Sequence, residues 1–384
     1  MKKIVLLLSV CLVLYSCRND ESVVPSSQTD VEVDRQDSEE YDGMYVLCEG
    51  NMGSNKCTLD YLDFTTGTYH RNIYAERNPE VVMELGDVGN DIQIYGSRMW
   101  MVINCSHKVE VVKARTAERI GQVDIPNCRF VTFDNGYAYI SSYVGKSISK
   151  YNILGSVYKV DTLSLEIVGK VDVGYQPEEL AIVNGKLYVA NSGGYRGGMT
   201  GEYDNTVSVI DLSSFTVVET IEVAPNLLRL RKDPYNQLWV SSRGIYEDGI
   251  PSKVCVLAEQ GGSMKVVKEI NQPVSDMAFR GDSVYFYGST LDDMGNPTGN
   301  VYGILHMKSY ELKSDHFIQN GKEADIKTPY GLMVTPLSGD IYVMDATNYM
   351  SSGKLFHFDK HGNYLNETWT GDIPGHAVFL PKKP

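Results

Sequence analysis

Gly185-Lys186-Leu187-Tyr188-Val189 is the stretch that decides the fold, because its order of residue types returns along the whole chain. A turn residue leads into an apolar side chain, an aromatic and a β-favouring residue. The same order occurs in Asp42-Gly43-Met44-Tyr45-Val46, Ser97-Arg98-Met99-Trp100-Met101, Gly136-Tyr137-Ala138-Tyr139-Ile140, Asn236-Gln237-Leu238-Trp239-Val240, Asp282-Ser283-Val284-Tyr285-Phe286 and Gly339-Asp340-Ile341-Tyr342-Val343. The aligned aromatics lie 55, 39, 49, 51, 46 and 57 residues apart. In a strand, neighbouring side chains point to opposite faces, so apolar residues on both sides of the aromatic mark a strand covered on both faces.

Working outward from each marker gives the unit. A short apolar strand precedes it, such as Phe130 to Phe133 or Glu179 to Val183. An alternating strand follows, such as Val207-Ser208-Val209-Ile210, and then a fourth, such as Thr216 to Val223. Four short strands in about fifty residues form the blade of a β-propeller, and a blade buries its two faces only by stacking on neighbours in a ring. Seven markers predict seven blades, all-β, over residues 43–384. The first unit starts at Gly43 with no strand before it, and the chain ends on a lone strand, His376 to Leu380. That strand is expected to complete the first blade and close the ring, leaving no open edge. The seven aromatics are packing residues on this reading.

Composition agrees. The chain has 384 residues, 42% of them hydrophobic, with 35 Gly and 26 Tyr, which favours strands and turns over helices. A formal net charge of −14 argues against nucleic acid as a partner, since phosphate contacts need clustered Lys and Arg. The one long apolar run is at the N-terminus. Lys2 and Lys3 followed by Ile4 to Leu14 read as a secretion signal over residues 1–16. Its ending, Leu14-Tyr15-Ser16-Cys17, resembles a bacterial lipobox, which implies cleavage before Cys17 and lipidation there. Residues 18–42 carry nine acidic and two basic side chains and are expected to be a flexible acidic tether, so 17–42 forms a linker. Cys17-Arg18-Asn19-Asp20-Glu21 resembles the sorting signal of Bacteroidota lipoproteins displayed on the cell surface. Without the signal lysines and the tether's surplus of seven acidic charges, residues 43–384 still carry −9.

Five cysteines remain beyond Cys17. An exported protein is permitted disulfides. Cys105 with Cys128, and Cys48 with Cys57, are candidate pairs, which would leave Cys255 free.

Function should sit on one face. Turns between the first and second strands are short, as in Asp134-Asn135-Gly136 and Asn184-Gly185, whereas the opposite face carries insertions at 142–155, 192–205, 242–251, 289–299 and 346–353. Long loops on a rigid scaffold are where binding residues concentrate. These carry Tyr143, Tyr195, Arg196, Tyr203, Arg243, Tyr246 and Tyr349 among Gly and Ser, and Tyr offers wide amphipathic contact at low entropy cost. Segments between blades should ring the channel mouth with Asn90, Arg129, Glu178, Asn226, Ser275, Tyr330 and His376. No G-x-S-x-G, H-E-x-x-H, phosphate-binding loop or EF-hand loop occurs, so no enzymatic role, resident cofactor or metal is expected. His107 and His376 are isolated.

The opening Tyr45-Val46-Leu47-Cys48-Glu49-Gly50-Asn51, followed by Leu59-Asp60-Tyr61-Leu62-Asp63, resembles the start of YncE-like "surface layer" propellers of Bacteroidota, and within them the BtuG family of cobalamin-capturing lipoproteins. The family more often has Asn where this chain has Cys48. The resemblance implies an outer-membrane lipoprotein, held to the membrane by its lipid alone and facing the exterior. It would capture cobalamin as cargo and pass it to a TonB-dependent outer-membrane transporter. A glycan-binding propeller or a structural surface-layer protein is the alternative.

Overall fold

The computed structural model describes residues 25–81, 85–145, 150–291 and 297–382; the signal segment 1–16 and Cys17 lie outside them. Seven antiparallel sheets form a ring, a seven-bladed β-propeller. Blade 2 shows the plan, from the axis outward: Gly89–Tyr95, Arg98–Ile103, Lys108–Lys113 and Arg119–Asp124. Innermost strands of blades 3 to 7 are Cys128–Asp134, Pro177–Val183, Leu227–Lys232, Asp276–Arg280 and Pro329–Val334. Blade 1 takes its innermost strand from the C-terminus: Pro374–Pro381 pairs with Tyr41–Cys48, with Val46 opposite Ala377 and Met44 opposite Phe379.

All seven marker aromatics lie on second strands, and all but the partly buried Tyr285 are buried. Their neighbours explain why. Trp100 and Val111 of blade 2 pack with Val131 and Ile140 of blade 3, and Trp239 and Val256 of blade 5 pack with Met277 and Phe286 of blade 6. The apolar core is thus divided among the blade junctions. Truncating a buried Trp of this kind typically costs about 3–5 kcal/mol, so each junction is a substantial energetic unit.

Polar stitches run across the same junctions near the axis. The carboxylates of Asp91, Glu179 and Asp276, on blades 2, 4 and 6, accept the backbone N–H of Val131, Leu230 and Leu332 on the next blade, at 2.9, 2.8 and 3.2 Å.

The short turns form one face. Asn135-Gly136 and Asn184-Gly185 are two-residue hairpin loops with φ of +46°, +82°, +49° and +73°, the twist that asparagine and glycine tolerate. The long second-to-third-strand loops and the between-blade links share the other face. The 289–299 insertion partly extends its hairpin: the strands run to Leu291 and resume at Pro297.

Two expectations are corrected. The acidic segment is not free tether up to residue 42. Ser27–Asp30 adds a fifth, outermost strand to blade 1, pairing antiparallel with Thr68–Arg71. The chain then crosses to blade 7, where the Glu32 carbonyl accepts from Asn366 and sits 3.0 Å from His357 Nδ1. Asp37 is buried and accepts from the Ser338 N–H and hydroxyl. Ser27 pairs with Arg71 at the mouth-side end of its strand, and Val31 bonds Gly67 at the short-turn side, so the chain enters the propeller from the mouth face.

The cysteine pairs do not form either. Cys48, Cys57, Cys105, Cys128 and Cys255 are free thiols. Each of three thiols instead turns to a nearby oxygen: Cys48 Sγ lies 3.6 Å from Asp60, Cys105 Sγ 3.5 Å from Asn104 Oδ1, and Cys128 Sγ 3.3 Å from the Lys108 carbonyl. Burial pushes the Cys128 thiol up to about 12 and Cys255 to about 11.

Candidate ligand-binding site at the channel mouth

The innermost strands and the loops of six blades surround a hollow of about 410 Å³ on the long-loop face. Its wall includes Glu49 and His376 of blade 1, Asn90 of blade 2, Arg129 and Phe130 of blade 3, Arg229 and Arg243 of blade 5, Tyr287 and Ser289 of blade 6, and Tyr330 and Tyr349 of blade 7.

Arg129 is held from several sides. Its Nη1 donates to Asn90 Oδ1 at 2.6 Å, its Nε and Nη2 donate to Glu178 at 3.2 and 3.1 Å, and its guanidinium lies 4.9 Å over the Tyr143 ring. Glu178, 2% exposed at its side chain, also accepts from the hydroxyls of Tyr143 and Ser192, and Arg243 approaches to 3.8 Å. Burial alone would raise the Glu178 carboxyl, but Arg129 and Arg243 outweigh it and hold the group below its ordinary value. The same pairing keeps Arg129 charged despite its own desolvation.

Across the mouth, Tyr330 and Tyr349 meet edge to face, 5.6 Å apart, and the Tyr330 hydroxyl donates to Glu49 at 3.2 Å. His376 Nε2 lies 3.5 Å from the other Glu49 oxygen. Burial raises the Tyr330 hydroxyl well above its ordinary value, and the Glu49 charge adds to this, so it stays a neutral donor. Tyr349 is 46% exposed and presents an open ring.

Of the residues expected to bind, Arg129, Arg243, Tyr330 and Tyr349 come together here, with Glu178 directly beneath. The others are placed differently. Tyr143 is buried, its hydroxyl spent on Glu178, with Tyr195 packed edge-on at 5.1 Å; both support the mouth rather than line it. Arg196 lies in the short helix Gly194–Thr200, paired with Glu202 and stacked on Tyr175. The Tyr203 ring packs on Gly197 in the same loop. Tyr246 faces a separate hollow of about 460 Å³ with Ile250, Pro251, Pro273 and Leu291. Asn226 is a turn residue: at φ +58° it donates to the Gly244 carbonyl and accepts from Arg243. Asn127 repeats this role two between-blade links earlier, at φ +47° and bonded to Gly145.

Sequence reading missed Glu49, Arg229, Tyr287 and Lys327. Arg229 had a signal: counted from the marker strands, it occupies the innermost-strand position of Asp91, Phe130, Glu179 and Asp276. Among the described residues, no group of three or more His, Cys, Asp and Glu side chains is arranged to hold a metal ion.

No protein-family model matches the sequence, and no curated protein matches it. Among solved structures, the chain is similar to hydrazine synthase of Kuenenia stuttgartiensis, with a TM-score of 0.55 and 18% identity over 71% of this chain and 76% of that one. It is also similar to a quinoprotein alcohol dehydrogenase-like protein of Bacteroides thetaiotaomicron, with a TM-score of 0.57 and 14% identity over 88% of this chain and 78% of that one. At such identities the likeness is one of architecture, and the chain is a seven-bladed β-propeller with a quinoprotein-like structural neighbour from Bacteroides.

Proposed function

We propose that the mouth face captures a large, rigid, amide-edged ligand of the cobalamin type, outside the cell, for transfer to a TonB-dependent outer-membrane transporter. The observation that carries this reading is the make-up of the mouth. Ring faces from Tyr330, Tyr349 and Phe130 and donors from Asn90, Arg243 and Tyr287 converge on one preformed hollow from different blades. Such a wall suits a ligand with methyl and amide edges, because rings cover the methyls while amides and hydroxyls pair with the polar rim. A rigid ligand on a rigid ring loses little conformational entropy on binding. A hollow of about 410 Å³ would seat one edge of such a molecule, with the loops above covering the rest. Export, lipid anchoring at Cys17 and the transporter partner belong to the same reading. They rest on the signal-like leader, the lipobox-like ending and the family resemblance.

The test uses the full chain in detergent. Cyanocobalamin should co-elute with it on gel filtration and titrate with one site by calorimetry. Tyr349→Ala should weaken binding at least about tenfold, roughly 1.4 kcal/mol, whereas Asn135→Ala on the short-turn face should not. Red colour eluting wholly at the small-molecule volume would reject the proposal.

A further inference from the structure

We infer that the mouth holds an oxyanion of its ligand, a phosphoryl or carboxylate group, on the Arg229 guanidinium. This inference rests on the mouth being the capture site. The chain is strongly acidic overall, yet the hollow is walled by Arg129, Arg229, Arg243 and Lys327 against a single lining carboxylate, Glu49. That carboxylate is already engaged by Tyr330 and His376.

The four cations are not equivalent. Arg129 spends its nitrogens on Glu178 and Asn90, so it is a positioning charge. Lys327 donates to the Ala324 carbonyl. Arg229 differs from both. Its side chain is 8% exposed, its Nε donates to the Ser275 carbonyl at 3.3 Å and lies 3.4 Å from Asp276, and Phe130 flanks it at 5.7 Å. Neither terminal nitrogen has a hydrogen-bond partner among the described residues, and the side chain opens on the hollow. Desolvation works against its charge, but Asp276 and Glu179 more than restore it, so Arg229 stays a cation.

The two terminal nitrogens, open to the hollow and without a protein acceptor, are available to a ligand, and arginine's planar fork is shaped for two parallel bonds to an oxyanion. Arg243, 39% exposed and bonded through one nitrogen to Asn226, stands beside it as a second donor. A cobalamin phosphodiester is one anion that would match. A carboxylate on another ligand would match by the same chemistry.

Two measurements separate this inference from the reading it rests on. In the first, thermal melts of the full chain are recorded in sodium phosphate, sodium acetate and sodium chloride at equal ionic strength. Phosphate or acetate should raise Tm above chloride, and Arg229→Gln and Arg243→Gln should each reduce that increment. Because phosphate stabilises folded proteins generally by exclusion from their surface, only the part of the increment lost in Arg229→Gln reports the site: a larger loss in phosphate identifies a phosphoryl site, and in acetate a carboxylate site. Increments that both variants keep in full, or equal melts in all three salts, overturn the inference whatever the natural ligand. In the second, cyanocobalamin is compared with dicyanocobinamide, which keeps the amide-edged ring and lacks the phosphodiester. Arg243→Gln, at the more exposed position, should weaken cyanocobalamin at least about tenfold and cobinamide less than about twofold. Equal losses for both overturn the phosphoryl assignment. Failure of both corrinoids to bind the parent rejects the proposed function and leaves the salt comparison to decide the anion site.

Discussion

Glu178 gathers the mouth into one unit: Arg129, Tyr143 and Ser192 all donate to it, and Arg243 stands close. Breaking such a buried pair strands a charge and typically costs about 3–5 kcal/mol. Glu178→Gln should therefore lower stability by a few kcal/mol at pH 7. The pH dependence has a definite sign. The folded carboxyl lies below its ordinary 4.5, so its contribution is complete above that value and is lost as pH falls through the lower folded one. Denaturant titrations of parent and variant should differ most near neutrality and converge in acid, as pH falls below 4.5 through the lower folded value. A gap that stays constant with pH would mean that the charge of Glu178 contributes nothing. At this scale the sequence was only partly informative. Arg129 and Tyr330 could be placed because they sit at one repeated position before the marker strand. Tyr143, Arg196 and Tyr203 could not, since a tyrosine or arginine in a long loop reads the same whether it faces a ligand or packs on its own loop.

Among elements, the docked acidic segment is the clearest departure from expectation. Composition suggested a chain too charged to bury itself, and Ser27–Asp30 is indeed exposed throughout. What fixes the segment is a backbone ladder along the edge of blade 1, Val31 and Val33 packed against the core shared by blades 7 and 1, and one buried carboxylate, Asp37, meeting the turn at Ser338. The alternation Val31-Glu32-Val33, with only two apolar residues among many acidic ones, is too short a hydrophobic pattern for sequence reading to find. Removing the Asp37 carboxylate leaves a buried N–H and hydroxyl without their acceptor, a cost of about 1–3 kcal/mol. Asp37→Ala should melt a few degrees below the parent by calorimetry, whereas Asp30→Ala on the exposed strand should melt with it. Matching melts for Asp37→Ala would show that the segment is not anchored there. The strands that were foreseen carry buried aromatics at regular intervals, and those aromatics fill the blade junctions.

In the whole molecule, stability depends on closing the ring. Blade 1 is assembled from both ends of the chain, and its innermost strand contributes Leu380 to the core shared with blade 2. Deleting residues 374–384 should expose the edge of Tyr41–Cys48, abolish the cooperative melt and promote aggregation, which light scattering during refolding would detect. An unchanged melt would contradict closure by this strand. The outer strand Ser27–Asp30 adds a further consequence. It descends from the mouth face, so the peptide preceding it leaves the propeller on the side where the hollow opens. Nine residues separate Cys17 from Ser27, and the ten steps between the two span at most about 35 Å when fully extended. A support that gripped the chain at Cys17 would therefore lie within a short reach of the rim, a leash that would keep the opening close to it.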